Sequence, residues 1–225
     1  MSTFIVSHEC RELGLRAGAL LLHDARITEA PPELRAAIDR EAQQIRESFD
    51  AVAGIRQLPE LARVHQVLRA VGVKPKSHPP SPQKLFEFAW KQGTLPAVNN
   101  LVDAYNLISL RTRCSLGAHD VDRIALPVEL RLFAGDESFR PLGSVEDKPI
   151  KAGEFGYVDA MNRVICRLDS LQADFSKVTT DTTAVLLIIE ASDMYEAASL
   201  RAVFDQTIAA LDQFCPATAE VVALP

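Results

Sequence analysis

The sequence predicts an α+β fold in which helices pack on antiparallel or mixed β-sheets. Three observations predict it. Apolar residues recur at helical spacing from Pro31 to Val71 and again from Met194 to Phe214. After Ile124 the period becomes two, with Val128, Leu130 and Leu132 alternating with Glu129 and Arg131. The run Ala184–Ile189 is apolar at every position, as expected of a strand buried on both faces.

In chain order, Phe4–Ser7 and Ala19–Ile27 read as two strands joined by a turn containing Gly14 and Gly18. HEC at His8–Cys10 has no second ligand pair to make a metal site and reads as a strand edge. Leu34, Ile38, Ile45, Phe49 and Val52 predict a helix that Pro32 opens and Gly54 ends. A second helix runs from Pro59 to Val71 and stops at Gly72, with His65 on its solvated side. The prolines of Lys74–Pro82 exclude regular structure, so this is a linker or surface loop. Ser81 is placed to cap a third helix ended by Gly93, and Trp90 closes a helix–helix core or offers a stacking surface.

The densest polar segment is Leu95–Ile124. Here a helix carrying Leu101, Ala104, Tyr105 and Ile108 also bears Asn99, Asn100, Asp103 and Asn106, and a following loop presents His119, Asp120 and Asp122. Buried amides and carboxylates cost a few kcal/mol unless partnered, so the cluster is either an internal network or a ligand site. Beyond it, Val128–Leu132 and Phe139–Leu142 predict a hairpin turned at Ala134–Glu137. Phe155–Asp159, Val164–Leu168 and Ala184–Ile189 follow as strands, then the long C-terminal helix, then a possible edge strand at Thr218–Leu224.

Composition narrows the function. In 225 residues, 48% are hydrophobic and 24% charged, which suits one globular domain: residues 1–94 form a strand and helix part, and residues 95–225 the polar helix and the sheet. No apolar run approaches the roughly 20 residues of a membrane span, and no secretory signal opens the chain, so a cytoplasmic protein without membrane contact is expected. Cys10, Cys114, Cys166 and Cys215 are scattered singly and read as buried thiols. The net charge of −6 is uneven: residues 1–125 carry 16 Lys and Arg against 14 acids, and residues 126–225 carry 8 against 16. Any RNA contact should therefore be local and made by the first half, where Arg11, Arg16, Arg56, Arg63, Arg69, Lys74 and Lys76 lie. GxSxG, Walker, GxGxxG and HExxH motifs are missing, which leaves a histidine with carboxylates and amides that can orient water.

The segment NLVDAYNLISLRTRCSLGAHDVDRI resembles a motif of the B3/B4 domain of the bacterial phenylalanyl-tRNA synthetase beta subunit. VELRLFAGDESFRPLG, GEFGYVDAMNRVICRL and KVTTDTTAVLLIIE continue the resemblance to about Glu190. It implies a stand-alone B3/B4-type α+β domain. In the synthetase this domain hydrolyses tyrosine wrongly attached to the phenylalanine tRNA. The resemblance implies tRNA or aminoacyl-tRNA as the partner, an amino acid as a possible small ligand, and no cofactor or metal. The family's helix asparagine falls on Asn106, with Tyr105 in place of the preceding threonine. Its histidine falls on Gly117, while His119 takes the place of a phenylalanine, as in the L-G-A-H-D loop of stand-alone relatives. Its strand-end acid corresponds to Glu190, two residues displaced and so on the same face.

Carried over, His119, Glu190 and Asn106 are the candidate catalytic residues. Asn100, Tyr105, Gly117, Ala118 and Asp120 are candidate substrate contacts, and Arg111 and Arg113 candidate phosphate contacts. Each has a structural alternative: Asn100 and Asn106 can tie the helix to its neighbours, His119 can bond its own backbone, and the arginines can be ordinary helix surface. The implied activity is hydrolysis of a mischarged aminoacyl-tRNA by positioned water; the alternative is a non-catalytic module that binds tRNA, an amino acid or a protein.

Overall fold

A computed structural model describes residues 3–225. Two sheets face each other. The first is mixed, with β1 (Phe4–Val6) parallel to β4 (Val128–Leu132), followed by β5 (Phe155–Val158), β6 (Val164–Arg167) and β7 (Leu171–Gln172). The second is antiparallel throughout, in the order β3 (Ser115–Asp120), β8 (Val185–Ser192), β2 (Leu15–His23) and β9 (Thr218–Ala223).

The all-apolar run becomes β8, an inner strand buried at every position. Its odd residues Val185, Leu187 and Ile189 join Leu20, Leu22, Leu116 and Ala118 under α6 (Asn100–Thr112) and α7 (Ala197–Phe214). The even residues Leu186 and Ile188 join Ala17, Ala19, Phe155 and Tyr157 between the sheets. This alternation decides which side chains can meet, because neighbouring residues on a strand point to opposite faces.

The helices α2 (Pro32–Ser48), α4 (Pro59–Ala70) and α5 (Ser81–Gln92) lie near their expected bounds. The first of them stops at Ser48, and Gly54 falls inside a separate short helix α3 (Val52–Arg56) instead of ending it. Helix α5 ends on Gly93 at φ 73°, the left-handed conformation that favours glycine. Trp90 donates to the Phe49 carbonyl at 2.7 Å and packs on the α2–α5–α6 core.

Three local expectations are corrected. β1 and β2 do not form a hairpin: helix α1 (His8–Glu12) separates them, and they belong to different sheets. Gly14 makes the turn at φ 93°, whereas Gly18 is within β2, where an added Cβ would come 2.5 Å from the Ala223 carbonyl and 2.7 Å from Phe204. Phe139–Leu142 does not pair with β4, whose antiparallel partner is β5. The turn itself exists, held by Glu137 accepting from the N–H groups of Ala134 (2.8 Å) and Gly135 (2.9 Å).

Candidate functional site

The expected loop at His119 is a strand. Ser115, Gly117 and His119 on β3 pair with Glu190, Ile188 and Leu186 on β8, so these six share one face, the face turned toward the mixed sheet. From the other sheet the Tyr157 hydroxyl donates to Glu190 Oε2. A cavity of about 30 Å³ is lined by Ser115, Gly117, His119, Tyr157, Cys166, Asp169, Ile188 and Glu190. A second, of about 10 Å³, shares Ser115, Asp169 and Glu190 as walls and continues past Ser192, Arg113 and Tyr195. Each has room for about one water molecule.

Burial sets the protonation of this cluster. Glu190 is pushed up to about 8, by loss of hydration first and by the Asp169 carboxylate second. Asp169 is itself raised to about 6 by the same desolvation, although the Ser81 N–H donates to it at 3.0 Å. Between these values the two carboxyls hold one proton as a pair. His119, 3% exposed, is pushed down to about 3 by burial and is therefore a neutral imidazole; its Nδ1 lies 2.9 Å from Ser176 Oγ. Burial also raises the Cys166 thiol far above neutrality, so it stays protonated and is no nucleophile.

Among the described residues, three buried polar atoms border the second cavity without a hydrogen-bond partner: Ser192 Oγ, Arg113 Nε and Glu60 Oε2. Ser192 is 1% exposed and shares the face of Glu190. A buried hydroxyl with no partner forgoes about 1–3 kcal/mol, so Ser192 is available to whatever enters the cleft.

The structure thus brings together Gly117, His119 and Glu190 of the residues singled out in the sequence. Others are placed elsewhere. Ala118 points away from the cavity into the core beneath the helices, as does Tyr105. Asp120 accepts from Thr182 Oγ1 at 2.7 Å and caps the 3-10 turn Val121–Arg123, so Ser176, and neither Asp120 nor Asp122, holds the His119 ring. Asn100 accepts from Thr28 N and donates to the Arg26 and Phe214 carbonyls, all at 2.9 Å, which makes it the anchor of α6. Asn106 is half-buried on that same helix, across the antiparallel sheet from Glu190, and lines neither cavity. Arg111 is paired with Glu41 at 3.1 Å, and Arg113 with Glu60 at 2.8 Å on the rim of the cleft.

Asp169, Tyr157, Ser115 and Ser192 escaped the sequence reading. Tyr157 carried a signal, a phenol on the buried side of an apolar strand that must find a partner. Asp169 looked like any acid after a strand. Among the described residues, no group of three His, Cys, Asp or Glu is placed to hold a metal ion, and no helix is long and apolar enough to cross a membrane.

Comparison with known proteins adds the family. No curated protein sequence matches the chain. The crystal structure of an N-terminal fragment of the phenylalanyl-tRNA synthetase beta-subunit from Pyrococcus horikoshii aligns with a TM-score of 0.49 and 13% identity, covering 94% of this chain and 48% of that one. The chain therefore spans about half the length of that fragment. The B3/4 domain is matched over residues 63–204, a span that contains most of α4, all of α5 and α6, and every residue lining the Glu190 cleft except Glu60. The chain belongs to the B3/4 domain family.

Proposed function

We propose that the protein is an RNA-associated B3/4 module that hydrolyses an aminoacyl ester at the Glu190 cleft. One observation carries this reading: two carboxyl groups, half-buried Asp169 and buried Glu190, line one water-sized cavity together with His119 and Tyr157, and desolvation raises both toward neutrality. A general base works best with its pKa near the working pH, and pairing two carboxyls in a dry site is one way to bring it there.

In the proposed reaction the carboxylate of the pair accepts a proton as the water oxygen bonds to the ester carbon. The ester carbon–oxygen bond then breaks, and the pair returns a proton to the departing sugar oxygen. The products are a free amino acid and a free hydroxyl. Neutral His119 orients the water through a hydrogen bond, and Tyr157 holds Glu190 in place. Ser192 Oγ supplies a donor to the carbonyl oxygen, where negative charge develops. The cavities fit water and no larger group, so the ester reaches Glu190 from the Arg113–Tyr195 rim. An aminoacyl ester is already activated, so positioning and modest charge stabilisation suffice. The tRNA partner and a cytoplasmic location belong to the same proposal.

The test is release of labelled amino acid from a panel of mischarged tRNAs by wild type, Glu190→Gln and His119→Ala. Loss of the carboxyl pair in Glu190→Gln is expected to slow release by about 10²–10⁴-fold and loss of the orienting imidazole by less. Wild-type release no faster than spontaneous hydrolysis refutes the enzyme and leaves a binding module; release unchanged in both variants refutes the site.

A further inference from the structure

A much larger depression, about 910 Å³, lies on the far side of α4 and α5 from the Glu190 cleft. One layer of helix separates them: Val64 and Pro82 face the cleft, while the next residues, His65 and Gln83, face the groove and are bonded to each other at 2.6 Å. His65 is thus a wall of this groove and not the solvated residue its helix position suggested.

The groove is basic on an acidic protein. Arg56, Arg69, Lys74 and Lys76 line it against a single carboxylate, Glu87, while the whole chain carries −6. Glu87 is engaged by Arg56 at 2.8 and 3.2 Å. Arg69, Lys74 and Lys76 are exposed and form no ion pair among the described residues. Arg63 on the same helix, by contrast, is already occupied, held by Asp193 at 2.7 and 2.9 Å. Three unpaired cations converging on one concavity repel one another, an arrangement relieved by an anionic ligand. Between them Val73, Pro75 and Pro79 provide an uncharged floor against which sugar and base faces can rest.

We propose that this groove binds the sugar–phosphate backbone of a single RNA strand, with Arg69, Lys74 and Lys76 contacting phosphates and the strand's end leading over α4–α5 to the Glu190 cleft. This rests on the ester-hydrolysis reading for the direction of the strand. It does not need Arg111, which is paired on α6 with Glu41.

The experiment is fluorescence anisotropy of a labelled, roughly twelve-nucleotide single-stranded RNA titrated with the whole protein between about 50 and 200 mM salt. Three phosphate contacts predict that log K falls against log salt with a slope of about −2. Reversing the charges in Arg69→Glu/Lys74→Glu/Lys76→Glu is expected to weaken binding more than about tenfold and flatten the slope. The milder Lys74→Gln/Lys76→Gln pair should lose an intermediate amount. Thermal melts should match wild type in both, since no internal partner is lost. The proposal is overturned if wild type binds no RNA at the lowest salt, if the charge-reversed protein binds equally well, or if polyglutamate or inorganic phosphate displaces RNA at comparable concentration. An aminoacyl ester of adenosine, which has no strand to occupy the groove, separates this from the chemistry. If that ester is cleaved while RNA goes unbound, the groove proposal fails and the ester reading stands. If RNA binds through the groove and the ester is inert, the reverse holds.

Discussion

Asp169 accepts the backbone N–H of Ser81 at 3.0 Å, so a carboxylate of the candidate site also caps the helix that divides the site from the basic groove. The helix start at Pro80 has no side-chain cap of its own, and Ser81, expected to provide one, is already inside the helix. An acid from 88 residues away does the capping.

Asp169→Asn should therefore affect two things at once. The amide oxygen can still accept from Ser81, so stability should fall by only about 1 kcal/mol, the size of a weakened cap. Glu190 loses a negative neighbour, and its pKa should drop below about 8. In a pH–rate profile for amino-acid release, wild type should be most active between about 6 and 8, where the pair holds one proton, and the variant should shift its optimum downward. An unmoved profile contradicts the coupling.

Stability should also depend on pH in a defined way. Glu190 holds its proton to about 8 when folded, against 4.5 ordinarily, so the folded state binds more protons and stability declines as pH rises across that interval. His119 behaves oppositely: folded it is neutral down to about 3, against 6.5 ordinarily, so stability declines as pH falls from 6.5. Asp169, protonated to about 6 when folded against 3.8 ordinarily, adds to the alkaline decline, so urea midpoints measured across pH should be highest at about pH 4–4.5 and fall toward pH 3 and toward pH 8. Glu190→Gln should flatten the alkaline limb and His119→Asn the acidic one. A wild-type midpoint that climbs steadily above pH 6 rules out a buried, protonated Glu190.

Gly117 can be filled. A Cβ there meets no atom within 4 Å, and the position borders the cavity. Gly117→Ala should gain about 0.5–1 kcal/mol, since glycine within a strand loses more chain entropy on folding. Gly117→Leu should occupy the space of the water, leaving the fold intact and abolishing ester hydrolysis. Equal hydrolysis in the leucine variant would show that the water is held elsewhere.

Asn100 is expected to be structural. Its side chain makes three bonds to Arg26, Thr28 and Phe214, joining α6 to the end of β2 and the end of α7. Asn100→Ala should lose about 2–4 kcal/mol in chemical denaturation, because buried backbone groups are left unpaired. Its hydrolysis rate, measured well below the melting temperature, should stay at the wild-type level. A lowered rate in fully folded protein would return Asn100 to the substrate contacts.

Much of the fold was legible because its signals are local. β8 announced itself through an apolar residue at every position, and α5 through apolar spacing ended by a left-handed Gly93. What could not be read depends on distant partners. SLGAHD contains glycine and histidine, weak strand formers, and becomes β3 only because β8 offers it a ladder of hydrogen bonds. The turn at Ala134–Glu137 was correctly placed, yet the returning strand begins at Phe155, after a segment with no periodic pattern. For the site, Glu190 was visible as an acid closing a buried strand. Asn106 was visible too, but α6 packs on the opposite face of the sheet, a fact that only the strand pairing decides.

The ladder between β2 and β8 joins Leu15–Leu22 to Val185–Ser192. On a ribosome the early strand must wait while some 160 further residues are made, which at roughly 5–20 residues per second takes about 8–30 s. For that time its apolar run Ala19–Leu22 lacks both of its partner strands, β8 and β9. Glu190 and the floor of its cleft cannot be in place until the ribosome has passed β8, so a chain terminated before residue 185 carries the helices of the basic groove without the cleft beside them.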